Sequence, residues 1–165
     1  GVYQACLTFV GQNVGARQYH RVRRILWICL GTVTLVGMAI GGLFYLFAGP
    51  LLSVYNTDPE VIRQGMIRMH IICATYFLCG VMEVLTGQLR GLGYSVLPMI
   101  MSLSGVCGFR ILWIFTVFAQ YRTLDMLIVS YPLSWLATAL FHAATYFFVQ
   151  RRFPRRDEAL PENAV

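Results

Sequence analysis

Hydrophobic residues in this chain come in long unbroken runs, with no polar face recurring every three or four positions. Ile25 to Ala48, ILWICLGTVTLVGMAIGGLFYLFA, holds no charge at all. About 20 apolar residues in helical form cross a bilayer core, so this run predicts a membrane span at about 25–48. Three more spans follow. They lie at about 66–89 with His70 and Glu83, at about 94–118 with Arg110, and at about 124–149 with Pro132 and His142. Residues 1–10, GVYQACLTFV, read as the end of a fifth helix. The runs are too long for strands and lack a two-residue alternation. The pattern therefore predicts an all-α polytopic membrane bundle of four complete spans plus the end of a fifth. Because the first residues already look like the last turns of a helix, the chain is expected to be the C-terminal part of a longer polypeptide.

The connections set an orientation. GQNVGARQYHRVRR, the Arg90 connection and QRRFPRR share one side and hold nine of the thirteen arginines, and the chain has no lysine. The opposite side holds Arg63, Arg68 and Arg122 together with Asp58, Glu60 and Asp125. By the positive-inside rule the loop over 11–24, the Arg90 loop and the tail over 151–165 are cytoplasmic. In the outer connection YNTDPEVIRQG, Thr57 or Asp58 can cap a helix, with Pro59 at its first position and Glu60 at the positive end of its dipole. The tail PRRDEALPENAV is polar, has two prolines and is expected to be disordered.

Composition agrees with the runs. Charged residues make up 12% of the chain and hydrophobic ones 58%, with a mean hydropathy of +0.64; a soluble domain averages about 25% charged. The net charge of +6 falls between spans, where topology accounts for it, so nucleic acid is not an expected partner. The five cysteines show no C-x-x-C pair or metal spacing, and no metal or redox role is assigned to them. Gly31, Gly37, Gly41, Gly42, Gly80, Gly87, Gly105 and Gly108 lie within spans, where small residues let helices approach closely in lipid.

One charge stands out. Glu83 precedes Arg90 by seven residues, which puts it roughly 10 Å inside the cytoplasmic end. An ionised group there costs about 2.5–3.5 kcal/mol on insertion scales. It must face a water-filled cavity, find a partner or carry a proton; left ionised it can hold sodium or a cationic drug. A structural carboxyl bonded to a neighbouring helix is the plain alternative. Arg110, in the outer half of its span, is expected to snorkel outward or to pair with an acid elsewhere. His70 and His142 are placed near span ends, within reach of interfacial water, in structural roles. Tyr76, Phe77, Trp113, Tyr131 and Trp135 are able to stack on an organic cation, though aromatics at membrane interfaces are commonplace.

GQNVGARQYHRVRR after a hydrophobic helix, TDPEV in an outer loop and GQLRGLGYSVLPM after the next span together resemble the C-terminal lobe of the multidrug and toxic compound extrusion (MATE) family, over residues 1–150. The resemblance implies twelve helices in two six-helix lobes, with this chain supplying the end of helix 8 and helices 9 to 12. It implies secondary active efflux of drug-like cations against an inward proton or sodium gradient, with no enzyme activity and no cofactor. It also implies a multi-pass protein of the plasma (inner) membrane, whose partners are lipids, small cationic substrates and the missing N-terminal lobe; alone the chain is expected to be inactive. In the family pattern the acid of this helix often lies a turn earlier, where Cys79 stands. Cys79 and Glu83, spaced i, i+4, share a helix face, so Glu83, with Cys79 and Tyr76, is the expected cation-coupling and substrate site, and Na+ at Glu83 is possible on chemistry. Gly11, Gln12, Gly15, Ala16, Arg90 and Gly91 match cytoplasmic-end motifs, with an expected role in tight turns and helix-end packing. Two rivals stay open: a lipid-linked oligosaccharide flippase of the same superfamily, and a small non-transporting membrane subunit.

Overall fold

The computed structural model describes residues 1–152, and all of its regular structure among the described residues is helical. Helix α1 spans Val2–Gly15, α2 Tyr19–Leu46, α3 Ala48–Tyr55 and α4 Pro59–Gly91. Helix α5 covers Val96–Tyr121 and α6 Leu124–Gln150. Of these, α2, α4, α5 and α6 are long and apolar enough to cross a membrane. Their outward surface is greasy: Leu35, Phe115 and Leu140 are each more than half exposed, an arrangement that a bilayer solvates and water does not. The tail expected to be disordered lies outside the described residues from 153 onward.

Helix α4 is the hub. Helices α2 and α6 pack along it, α1 packs on its C-terminal half, α3 on its start, and α5 docks chiefly on α6. Accordingly Val84 to Leu89 are buried on every side. The close approach of α2 to α4 depends on glycine. A Cβ on Gly41 would sit 2.5 Å from the Cys73 carbonyl oxygen, so the two backbones are nearly in contact, the geometry that small residues permit between membrane helices.

Two boundaries differ from the sequence reading, and one agrees with it. The connection expected over 11–24 shrinks to Ala16–Gln18, because residues 11–15 finish α1 and Tyr19 already opens α2. Helical hydrogen bonds need no apolar side chains, so the arginines at 21–24 do not stop the helix. The outer loop contains an additional short helix, α3. Asp58 proves to be the cap of α4, accepting from the Glu60 N–H at 2.9 Å with Pro59 at the first position.

The two cytoplasmic-motif helices end alike. After α1, the Arg17 N–H donates to Val14 at 3.0 Å and the Gln18 N–H to Asn13 at 2.8 Å. After α4, the Gly93 N–H donates to Arg90 and the Tyr94 N–H to Leu89, both at 3.0 Å. Each pair is a Schellman cap, whose central residue is left-handed. Gly93 takes this conformation at φ 94°, whereas Arg17 takes it at φ 56° with a full side chain.

Between α1, α2 and α4 a polar knot is sealed in the core. The Gln88 side chain is wholly buried; its Nε2 donates to the Val22 carbonyl at 3.1 Å and its Oε1 accepts from the Cys6 thiol at 3.3 Å. Changing Gln88 to Leu breaks both bonds and leaves the thiol only the Val84 carbonyl, at 3.6 Å. A loss of about 1–3 kcal/mol is expected, checked by the melting temperature of the purified protein in detergent.

Candidate functional site

Tyr76, Cys79 and Glu83 lie at i, i+3 and i+7 on α4, which sets them on one face of the helix. That face is the open one. Glu83 is exposed between buried Met82 and Val84, Tyr76 is 51% exposed and Cys79 is half-buried. Among the described residues no donor reaches the Glu83 carboxylate, which forms no ion pair. It does lie within electrostatic reach of the Cys79 thiol and the His142 ring.

The face continues onto α6 as a row of rings. Tyr76 meets Trp135 edge-to-face at 6.5 Å between centroids, and Trp135 meets Tyr131 in the same manner at 6.3 Å. Arg110 of α5 closes the row, its guanidinium 4.1 Å above the Tyr131 ring and its Nε donating to Ser134 Oγ at 3.1 Å. Ser134 Oγ in turn donates to the Tyr131 carbonyl at 2.8 Å. The arrangement sets an uncompensated carboxylate about two turns along α4 from the first ring of the row, while Arg110 is already stacked on that row and hydrogen-bonded to Ser134. A carboxylate attracts positive charge, and ring faces attract diffuse organic cations within about 6 Å.

Arg110 therefore departs from expectation. Rather than snorkelling, it turns into α6, where it stacks on a ring and donates Nε to a hydroxyl. His142 departs too. Its ring is fully buried, with Nδ1 2.9 Å from the Thr138 carbonyl and Nε2 3.3 Å from the Pro98 carbonyl and 3.4 Å from Ser102 Oγ. The depth along the helix allowed interfacial water, but the side chain points into the start of α5 instead. His70 stacks on Tyr45 at 4.1 Å. Trp113 ties α5 to α6 by donating to the Met126 carbonyl at 2.8 Å.

The Arg110–Tyr131–Ser134–Trp135 grouping is absent from the sequence reading. Its residues carried the signal of an intramembrane charge and nearby aromatics, but their pairing depends on the register of α5. That helix alternates between winding modes: Val96–Ser102 is α-helical, Leu103–Gly108 π-helical, Phe109–Trp113 α-helical and Ile114–Phe118 π-helical. Arg110 lies between the two π segments. Such segments recur at functional sites in other helices.

At the C-terminal end of α4 the motif residues meet α1. A Cβ on Gly91 would fall 2.6 Å from Val10 Cβ, and one on Gly11 would face the Gly91 carbonyl at 3.9 Å. Arg90 Nη1 donates to the Tyr3 hydroxyl at 2.7 Å. Gln12 contributes its backbone carbonyl to the Ala16 N–H, while Gly15 has open space beside it. None of these touches the Glu83 face by a recorded bond. Among the described residues no group of three His, Cys, Asp or Glu side chains converges as a metal site.

Four membrane-length helices, α4 at their hub, define a polytopic membrane protein, with a lone carboxylate on the same open face of α4 as Tyr76. The MatE family model matches residues 1–116, and the chain belongs to that family. It is 23% identical over 146 residues to the probable multidrug resistance protein YoeA of Bacillus subtilis, covering 87% of this chain and 31% of that protein. It is 27% identical over 130 residues to the probable multidrug resistance protein NorM of Thermotoga maritima, covering 77% and 27% respectively. A NorM protein of Aromatoleum aromaticum is 32% identical over 98 residues, 59% of this chain and 21% of that protein. The chain thus spans less than a third of the length of these relatives. No solved structure matches it.

Proposed function

We propose that this chain forms part of the C-terminal lobe of a secondary active multidrug exporter, which moves organic cations outward against an inward proton or sodium gradient. The observation that carries the reading is Glu83, exposed and unpaired among the described residues on an apolar helix, on the same face as Tyr76 of the Tyr76–Trp135–Tyr131 row. In this scheme Glu83 holds the coupling ion in one conformation and yields to the substrate cation in another. Tyr76 and Trp135 offer ring faces to the substrate, and Cys79 borders the carboxylate. A second, N-terminal lobe faces this surface and completes the cavity, in keeping with the greater length of the relatives. Secondary transporters commonly place such sites near the midplane between repeats.

The protein is a transporter and not an enzyme in this scheme, needs no cofactor, and resides in the plasma membrane with the α1–α2 turn, the Arg90 end of α4 and the C-terminal end of α6 in the cytoplasm. The 165-residue chain by itself does not transport. The test uses the full-length protein in everted membrane vesicles with a fluorescent organic cation supplied outside them, with proton and sodium gradients imposed separately. Uptake driven by one gradient and abolished by its collapse is the expected result. Uptake indifferent to both gradients overturns the proposal.

A further inference from the structure

The α1–α2 turn carries a feature that the transport reading leaves unused. Two adjoining grooves, of about 460 and 610 Å3, run beside the start of α2. Arg21, Arg23 and Arg24 rim them, and Phe9, Trp27 and Ile28 form apolar wall, each of the three more than half exposed. The charges and the grease are stacked along the helix: arginines first, Trp27 and Ile28 immediately after. Residues 1–57 contain no Asp or Glu, so this third of the chain has no acid of its own to neutralise the rim.

We infer that the groove binds an anionic glycerophospholipid of the adjacent leaflet, its phosphodiester on Arg21 and Arg24 and an acyl chain along Trp27 and Ile28. Three features favour a lipid. Charge complementarity calls for an anion, the apolar wall calls for a hydrocarbon chain attached to it, and the site lies where a membrane span begins. Arginine suits the role because its fork donates two parallel hydrogen bonds to phosphate oxygens. Basic pockets between membrane helices at this depth are known to hold lipid headgroups.

The test titrates purified, delipidated full chain with phosphatidylglycerol or, separately, phosphatidylcholine of identical acyl chains, and reads bound lipid by native mass spectrometry. Phosphatidylglycerol is expected to bind about 25-fold more tightly, about fivefold for each of two arginines. The double variant Arg21→Gln/Arg24→Gln should weaken it by roughly fivefold per arginine, about 25-fold together, with phosphatidylcholine unaffected. Arg68→Gln/Arg122→Gln, which removes equal charge on the other side of the membrane, should leave binding within about twofold. Inorganic phosphate at millimolar concentration should not compete. Equal affinity for the two lipids overturns the inference, as does an equal loss in both double variants, which would mean diffuse charge attraction. Full competition by phosphate would also overturn it, by making this a free-anion site. Should the Gln pair fail to fold, as judged by helicity and elution, the comparison of the two lipids on the parent protein decides alone.

Discussion

A Glu83→Gln protein is expected to reach the membrane at the parent level and yet confer no drug resistance. The two halves of this result have separate causes. Glu83 is exposed and makes no hydrogen bond or ion pair among the described residues, so folding loses no contact when the carboxylate becomes an amide. Surface substitutions of this kind usually stay within about 0.5 kcal/mol. In the proposed scheme transport, by contrast, loses the one negative charge on the open face among the described residues. The amide neither binds a proton at working pH nor attracts sodium, and gradient coupling has no other carboxylate to use on this face. A fall in initial efflux rate of at least about tenfold is expected, the equivalent of roughly 1.4 kcal/mol. It is read from accumulation of a fluorescent cation, with expression checked by immunoblot. Resistance equal to the parent's would remove Glu83 from the mechanism.

The second large effect is on assembly. Gly41→Leu should lower the melting temperature sharply or prevent accumulation of folded protein altogether. The new Cβ would lie 2.5 Å from the Cys73 carbonyl oxygen, and one turn earlier a Cβ on Gly37 would lie 3.1 Å from Phe77 Cα. These are backbone atoms, so no side chain can rotate aside; α2 must back away from α4. Overpacking of this sort costs about 1–3 kcal/mol for small insertions, and a leucine exceeds that size. The neighbouring Gly42→Leu supplies the control, since nothing lies within 4 Å of its Cβ position; it should be neutral. Thermal stability of the two variants, followed by fluorescence-detected size exclusion, checks the pair. Equal stability would mean that the α2–α4 contact is looser than described.

What could be read from the sequence follows from which physical quantities are one-dimensional. Span number came from run length, which the bilayer fixes, and the family from motif order. Asp58 capped as its neighbours Pro59 and Glu60 suggested. Helix ends were harder: α2 begins six residues before its apolar run because Arg21, Arg23 and Arg24 are as helical as the leucines that follow. Glu83 was visible as a carboxylate with no basic residue nearer in sequence than Arg90. Its companions were not, because joining Arg110 to Tyr131 and Ser134 requires knowing how α5 is rotated against α6. His142 shows the same limit, with its depth readable from position and its facing direction dependent on where Pro98 and Ser102 stand.

The winding of α5 has a consequence for anyone drawing a helical wheel of this chain. A π turn holds one residue more than an α turn, so each such turn sets the following residues back by about 100° of azimuth. A wheel drawn at a uniform 3.6 residues per turn from Val96 would assign the wrong neighbours to side chains beyond Leu103–Gly108, Arg110 among them, and again beyond Ile114–Phe118. Any mutational scan or covariation map of this helix should be phased separately in its successive pieces.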